Sequence, residues 1–236
     1  VTLIDMFILG YKSIYYSADI AMEDDSEEDD TSSAITTWAL IGTMIVSFAF
    51  AIFLFKFLPL GAATLIDNAF GVSTIIFNLI DGVVKASIFL LYLYLVGRYD
   101  DMKELFSYHG AEHKTINCYE KGLPLTLKNI MEQTTVHKRC GTTFMFVVLF
   151  ISLIVYLFVP KDLPFLVNLA TRIALLPLIA GISYELQRYS ATHTNVCLNL
   201  LMKPGLALQK LTVNEPNAKQ IKTGKAALVA VLKADA

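Results

Sequence analysis

The sequence predicts an all-α, polytopic membrane protein with about four transmembrane helices, an N-terminal interfacial helix and a C-terminal amphipathic tail. Three observations carry that expectation. Hydrophobic residues make up 55% of the 236 and charged residues only 17%, with a mean hydropathy of +0.56, outside the balance of soluble domains. Several apolar stretches reach the roughly 20 residues needed to cross a bilayer core of about 30 Å. Proline and glycine mark the turns between them, at Pro59 and Gly61 and again at Pro160 and Pro164.

Taken in order, all 236 residues read as a single membrane domain. Residues 1–22 are largely apolar, but Asp5, Lys12 and Asp19 fall seven apart and form one polar stripe, as on a helix lying in the interface. Residues 23–30 are almost wholly acidic, and their mutual repulsion predicts a solvated linker. Residues 31–55 carry no charge and form the first span, which Pro59 and Gly61 then break. The second span, 72–97, is interrupted by Asn78, Asp81 and Lys85, the last two being i,i+4 partners. Spans three (142–159) and four (165–184) form a hairpin, and Arg172 lies at a depth where it can neutralise Asp81 across the bundle. The tail, 187–236, has short amphipathic segments whose Lys219, Lys222 and Lys225 suit anionic lipid.

The connection 98–141 carries seven basic residues, whereas the opposite connections offer only Lys56 and Lys161. Basic residues are retained in the cytoplasm, so this connection and both termini are expected there. A net charge of -2 gives no basic surface for phosphate backbones, which excludes nucleic acid as a partner. The lipid bilayer is the expected partner, and so small an apolar bundle is suited to homo-oligomerisation. Cys118, Cys140 and Cys197 form no Cys-x-x-Cys pair, which predicts free or metal-bound thiols facing a reducing compartment. The first residues show no basic segment or small-residue cleavage site, so no signal peptide is read there.

The chemistry concentrates in 98–141. His109, Glu112 and His113 stand in the order H-x-x-E-H. On a helix the two histidines can address one metal, and Glu112 can take a proton from water beside it. Glu120 lies two turns further along that face. Beyond it, His137 and Cys140 close the connection where the third span begins, and a helix N-terminus favours a thiolate at Cys140. Glu185 returns to the same side at the end of the fourth span. The expected centre is a divalent metal of zinc type held by His109, His113 and His137, with Glu112 as the catalytic base. Cys140, Glu120, Glu185 and Cys118 are further ligands or their hydrogen-bonding supports. A closed structural site made of His113, Cys118, His137 and Cys140 is the competing arrangement. His193 reads as an ordinary surface residue.

Four separated segments, YHGAEHKT (108–115), HKRCGT (137–142), AGISYEL (180–186) and Pro204–Gly205 with Leu211–Thr212, together resemble the DUF1385 family of uncharacterised bacterial membrane proteins. The resemblance covers nearly the whole chain, including Ser17 and Ala18. It implies a metal-dependent enzyme of the bacterial cell membrane, with metal at His109 and His113 and at His137, Cys140 or Glu112. Two departures stand out: the family's Gly-rich N-terminal segment has no counterpart here, and Lys138 replaces a frequent proline. The expected activity is hydrolysis of a membrane-associated peptide or lipid. A non-catalytic scaffold with a structural metal or a hydrogen-bonded connection is the second reading. A transporter using Asp81, Lys85 and Arg172 is the third.

Overall fold

The computed structural model describes residues 2–25, 32–193 and 195–234. Among these there is no strand, and the chain forms two compact units, Val1–Leu58 and Pro59–Ala236, where the sequence reading drew a single domain.

In the first unit, α1 (Thr2–Asp25) runs past the expected boundary at residue 22 and takes in Glu23, Asp24 and Asp25. The rest of the acidic segment lies outside the described residues. Asp5, Lys12 and Asp19 are exposed, and so are Ile8, Leu9, Tyr11, Ile14 and Tyr16. Helix α2 (Ser32–Ile52) exposes every side chain from Ile41 to Phe50, a surface that water would penalise and lipid would not. A π-helical turn (Phe53–Phe57) follows, closed by the Leu58 N–H on the Phe53 carbonyl. That turn explains a correction. The first span does not end near Phe55, because the wider π-turn accommodates a proline that lacks an N–H and would crowd an ordinary helix. The apolar helix therefore continues as Ile41–Phe70.

The second unit starts with α3 (Leu58–Phe70), which holds Pro59 and Gly61 in its first turn. The break comes later, at Gly71, whose φ of 61° is a left-handed conformation that glycine adopts without steric cost. Helix α4 (Thr74–Val96) is capped by the Ser73 hydroxyl, which accepts from the Ile76 N–H at 3.4 Å. Most of the expected connection 98–141 is itself helical: α5 (Asp100–Glu120) and the short α6 (Leu127–Met131). Asp100 and Asp101 in the first turn of α5 complement its positive end.

Helix α7 (Gly141–Tyr156) has 16 residues, against the 18 expected for the third span. At 1.5 Å per residue it is about 24 Å long, short of a full bilayer core. The fourth apolar stretch is longer than expected, Phe165–Thr192, and divides into α8 (Phe165–Ala174) and α9 (Leu176–Thr192). Pro177 accounts for the division, since it cannot donate to the preceding turn. Among the described residues, three helices, Ile41–Phe70, Thr74–Val96 and Phe165–Thr192, are thus long and apolar enough to cross a membrane, as in a membrane protein.

The tail packs on the rest of this unit: α10 (Val196–Thr212) lies on α7, and α11 (Ala218–Ala234) lies on α5. Gln209, Thr212, Gln220 and Ile221 are buried in these contacts, while Lys219, Lys222 and Lys225 remain exposed. An apolar cluster of Ala111, Cys118, Ile130 and Ile221 joins α5, α6 and α11.

Candidate metal centre

Helix α5 carries the H-x-x-E-H segment, and its helical spacing brings the rings of His109 and His113 edge to face, with centroids 4.4 Å apart. Gly110 lets the tail close over this point. A Cβ there would stand 2.0 Å from the Asn214 carbonyl oxygen, so only glycine admits the connection between α10 and α11. That connection is tied down by the Asn214 N–H on the Phe106 carbonyl at 2.9 Å and by its side-chain amide on the Lys103 carbonyl at 3.1 Å. It brings the Thr212 carbonyl to 3.0 Å from His109 Nδ1. On the other side, the Thr135 carbonyl sits 2.5 Å from His113 Nδ1. Because carbonyls only accept, both Nδ1 atoms carry a proton, which leaves the Nε2 of each ring as the nitrogen free to address Cys140 or a metal.

The third member arrives from α7. Cys140 is its N-cap, with Sγ accepting from the Thr142 N–H at 3.4 Å. The same sulfur lies 3.4 Å from His109 Nε2. One ligand atom each from His109, His113 and Cys140 falls within 4.8 Å of the others. Burial alone would raise the Cys140 thiol, but hydrogen bonds with His109, His113 and Thr142 prevail and bring it down to about 5. The hydrogen bond to Cys140 in turn holds the His109 imidazole above the usual histidine range. The donor set, two imidazole nitrogens and one thiolate, is the chemistry that zinc prefers.

His137 flanks this trio without joining it. Its ring centroid is 5.7 Å from that of His113, and its Nε2 faces Glu120 at 3.3 Å. Burial and the neighbouring His113 push its imidazole below the usual range. Glu120 also pairs with Arg139. Glu112 is exposed on α5, near enough that its charge favours protonation of both His109 and His137.

Two of the sequence candidates are not brought in. Cys118 faces the opposite side of α5, where burial raises its thiol and Sγ points at the carbonyls of Leu123 and Pro124. Glu185 is exposed and pairs with Arg188 at 3.6 Å. His193 is exposed and stacks on Tyr189.

Residues that the sequence reading missed hold the turn before α7. Gln209, buried on α10, accepts from the His137 N–H at 3.0 Å and donates to its carbonyl at 2.7 Å and to the Thr143 hydroxyl at 2.8 Å. Gln187 on α9 donates to the carbonyls of Cys140 (2.9 Å) and Lys138 (3.2 Å). Thr212 and Thr142 share a hydroxyl hydrogen bond of 2.9 Å. The available signal was weak: each glutamine stands on a helix with a face to bury, and an amide must find a partner if buried.

The second polar cluster lies inside the bundle. Asp81 Oδ2 receives Lys85 at 3.0 Å and Arg172 at 2.5 Å. Arg172 also donates to Asn168 at 2.7 Å and to Asn78, and the Tyr156 hydroxyl donates to its carbonyl at 2.8 Å. Asn78, Asn168 and Tyr156 were not among the sequence candidates. They complete a bracket joining α4, α7 and α8.

The chain is similar to an uncharacterised protein, YqhQ, of Bacillus subtilis (strain 168), with 36% identity over 218 residues, 90% of this chain and 67% of that protein. No solved structure matches it. The family described as a protein of unknown function, DUF1385, matches residues 1–234, and the chain belongs to that family.

Proposed function

We propose that this protein is a metal-dependent hydrolase of zinc type working at the membrane surface, with a membrane-associated peptide or lipid as substrate. One observation carries the reading: His109 and His113 both anchor Nδ1 on backbone carbonyls and turn Nε2 towards the space beside Cys140 Sγ. Carbonyl anchoring of the remote nitrogen is the usual support of a metal-bound histidine. His109, His113 and Cys140 would hold the metal, and a three-residue set leaves a fourth position for water or substrate. A metal bound there supplies Lewis acidity, polarising the scissile group and acidifying water.

The protein's own groups divide the remaining work. Glu112, exposed beside the two histidines, is placed to accept a proton. His137 and Glu120 hold one another at the edge of the site. The scaffold reading is weaker, because a closed site needs a fourth protein ligand and Cys118 faces the other side of α5. The transporter reading is weaker too, since Asp81, Lys85 and Arg172 are bonded to one another and brace the bundle. Within this reading α7 is a short span that brings the total to four, the α5 side and both termini face the bacterial cytoplasm, and the bundle assembles with further copies of itself.

Metal analysis of purified protein tests the centre. Wild type should retain zinc, and His109→Ala, His113→Ala and Cys140→Ala should each lose most of it. Equal metal content in all four would remove the proposal.

A further inference from the structure

The turn that delivers Cys140 to the metal centre has a second face. Gln209 clasps the backbone of His137, and Gln187 clasps those of Lys138 and Cys140, so the segment is held in place from α9 and α10. Its side chains diverge from there. Cys140 turns to His109, whereas His137, Lys138 and Arg139 line a cleft of about 490 Å³ whose other walls include Glu120 and Asn117 of α5, Ala191 and Thr192 of α9 and Leu206 of α10.

Three properties of this cleft point to one ligand. Lys138 and Arg139 against Glu120 leave one positive charge in excess, which matches the single negative charge of a phosphodiester. Ala191 and Leu206 add an apolar wall that a small soluble anion would not use. Ala191 also stands on the polar end of the helix Phe165–Thr192, past Glu185 and Arg188, where a spanning helix has left the hydrocarbon for the headgroup region.

We propose that the cleft takes the phosphodiester headgroup of an anionic membrane lipid, with Lys138 and Arg139 at the phosphate and the apolar wall along the first part of the acyl chains. This narrows the substrate of the metal centre from peptide or lipid to lipid, and in that respect rests on the preceding reading. His137 is the shared wall: it lines the cleft and lies 5.7 Å, ring to ring, from His113.

The test uses the full chain in detergent, stripped of metal by chelation, so that binding is read without turnover. Dihexanoyl phosphatidylglycerol is titrated by calorimetry against wild type, Lys138→Glu, Lys138→Gln and Lys138→Arg. Glycerophosphoglycerol, the same headgroup without chains, is the comparison ligand. Wild type should bind the short-chain lipid saturably, Lys138→Glu and Lys138→Gln should weaken it by about tenfold or more, and Lys138→Arg should keep most of the affinity. Glycerophosphoglycerol should bind at least about tenfold more weakly. Lys138 is exposed, so its variants should fold, and the neutral Lys138→Gln decides the matter if the reversed charge does not. Absent binding, or unchanged affinity in Lys138→Gln, overturns the proposal. Equal affinity for the chain-free headgroup assigns the cleft to a soluble phosphodiester and overturns the lipid. Zinc content measured on the same preparations before chelation separates the two readings. A protein that binds lipid but retains no zinc keeps the cleft and loses the metal centre, and the reverse result overturns the cleft alone.

Discussion

Cys140 Sγ lies 3.4 Å from His109 Nε2, although 31 positions separate the two residues. The contact joins the N-cap of α7 to the first histidine of the H-x-x-E-H segment, and the functional reading depends on it. If the pair belongs to a metal centre, the three cysteines must behave differently. Purified wild type should carry about one zinc per chain. Cys118→Ala should retain it and Cys140→Ala should lose it, as read by elemental analysis. Loss of zinc in Cys118→Ala would place the site on the wrong side of α5.

Thiol chemistry gives a second check. The folded Cys140 thiol is lowered to about 5, so the thiolate persists well below the ordinary thiol range and disappears only as pH falls through that value. Burial raises Cys118, which keeps that thiol protonated and unreactive. In metal-free protein, iodoacetamide should therefore alkylate Cys140 readily at pH 6 to 7, leave Cys118 untouched until unfolding, and be blocked at Cys140 by added zinc. Peptide mass spectrometry reads each site. A Cys140 rate that rises only above about pH 8 would contradict the lowered thiol.

Glu112 is assigned a proton-accepting role, with no part in holding the metal. Glu112→Gln should retain zinc while losing hydrolytic turnover by about 100-fold or more once a substrate is in hand. Retained turnover would end its role as base.

Gly110 admits the connection from α10 to α11, and a Cβ there would meet the Asn214 carbonyl oxygen at 2.0 Å. Gly110→Ala should destabilise the protein by about 1–3 kcal/mol and reduce zinc retention, because the Thr212 carbonyl that orients His109 must shift. Thermal unfolding in detergent, with and without zinc, measures both effects. A melting curve like that of wild type would show that the connection can move aside freely.

Asp81 brings Lys85 and Arg172 together within the bundle. Removing the carboxylate alone, as in Asp81→Ala, leaves two buried cations and should cost about 3–5 kcal/mol. The triple replacement Asp81→Leu, Lys85→Met, Arg172→Leu should recover much of that loss, because no buried charge then lacks its partner. If the triple variant is as unstable as the single one, the cluster is more than a structural bracket.

Chain chemistry alone determined much of this protein. Long uncharged stretches set the apolar helices, since backbone in hydrocarbon must satisfy its own hydrogen bonds. Helical spacing placed His109 and His113 on one face of α5. It also placed Cys118, nine residues after His109 and about 180° around the helix, on the opposite face, so its exclusion was legible from periodicity. The continuation of the first span past Pro59 was not, because a π-turn is a local compromise between a proline and its surroundings that no single residue announces. Only the tertiary structure chose Cys140 over His137 as the third member, and excluded Glu185. Those choices depend on where α7, α9 and α10 pack, and on the hydrogen bonds by which Gln187 and Gln209 fix the turn before α7. Amphipathic patterning told the tail that it had a face to bury. It did not specify the partner, because burial against α5 and α7 and burial in lipid both remove the same apolar area from water.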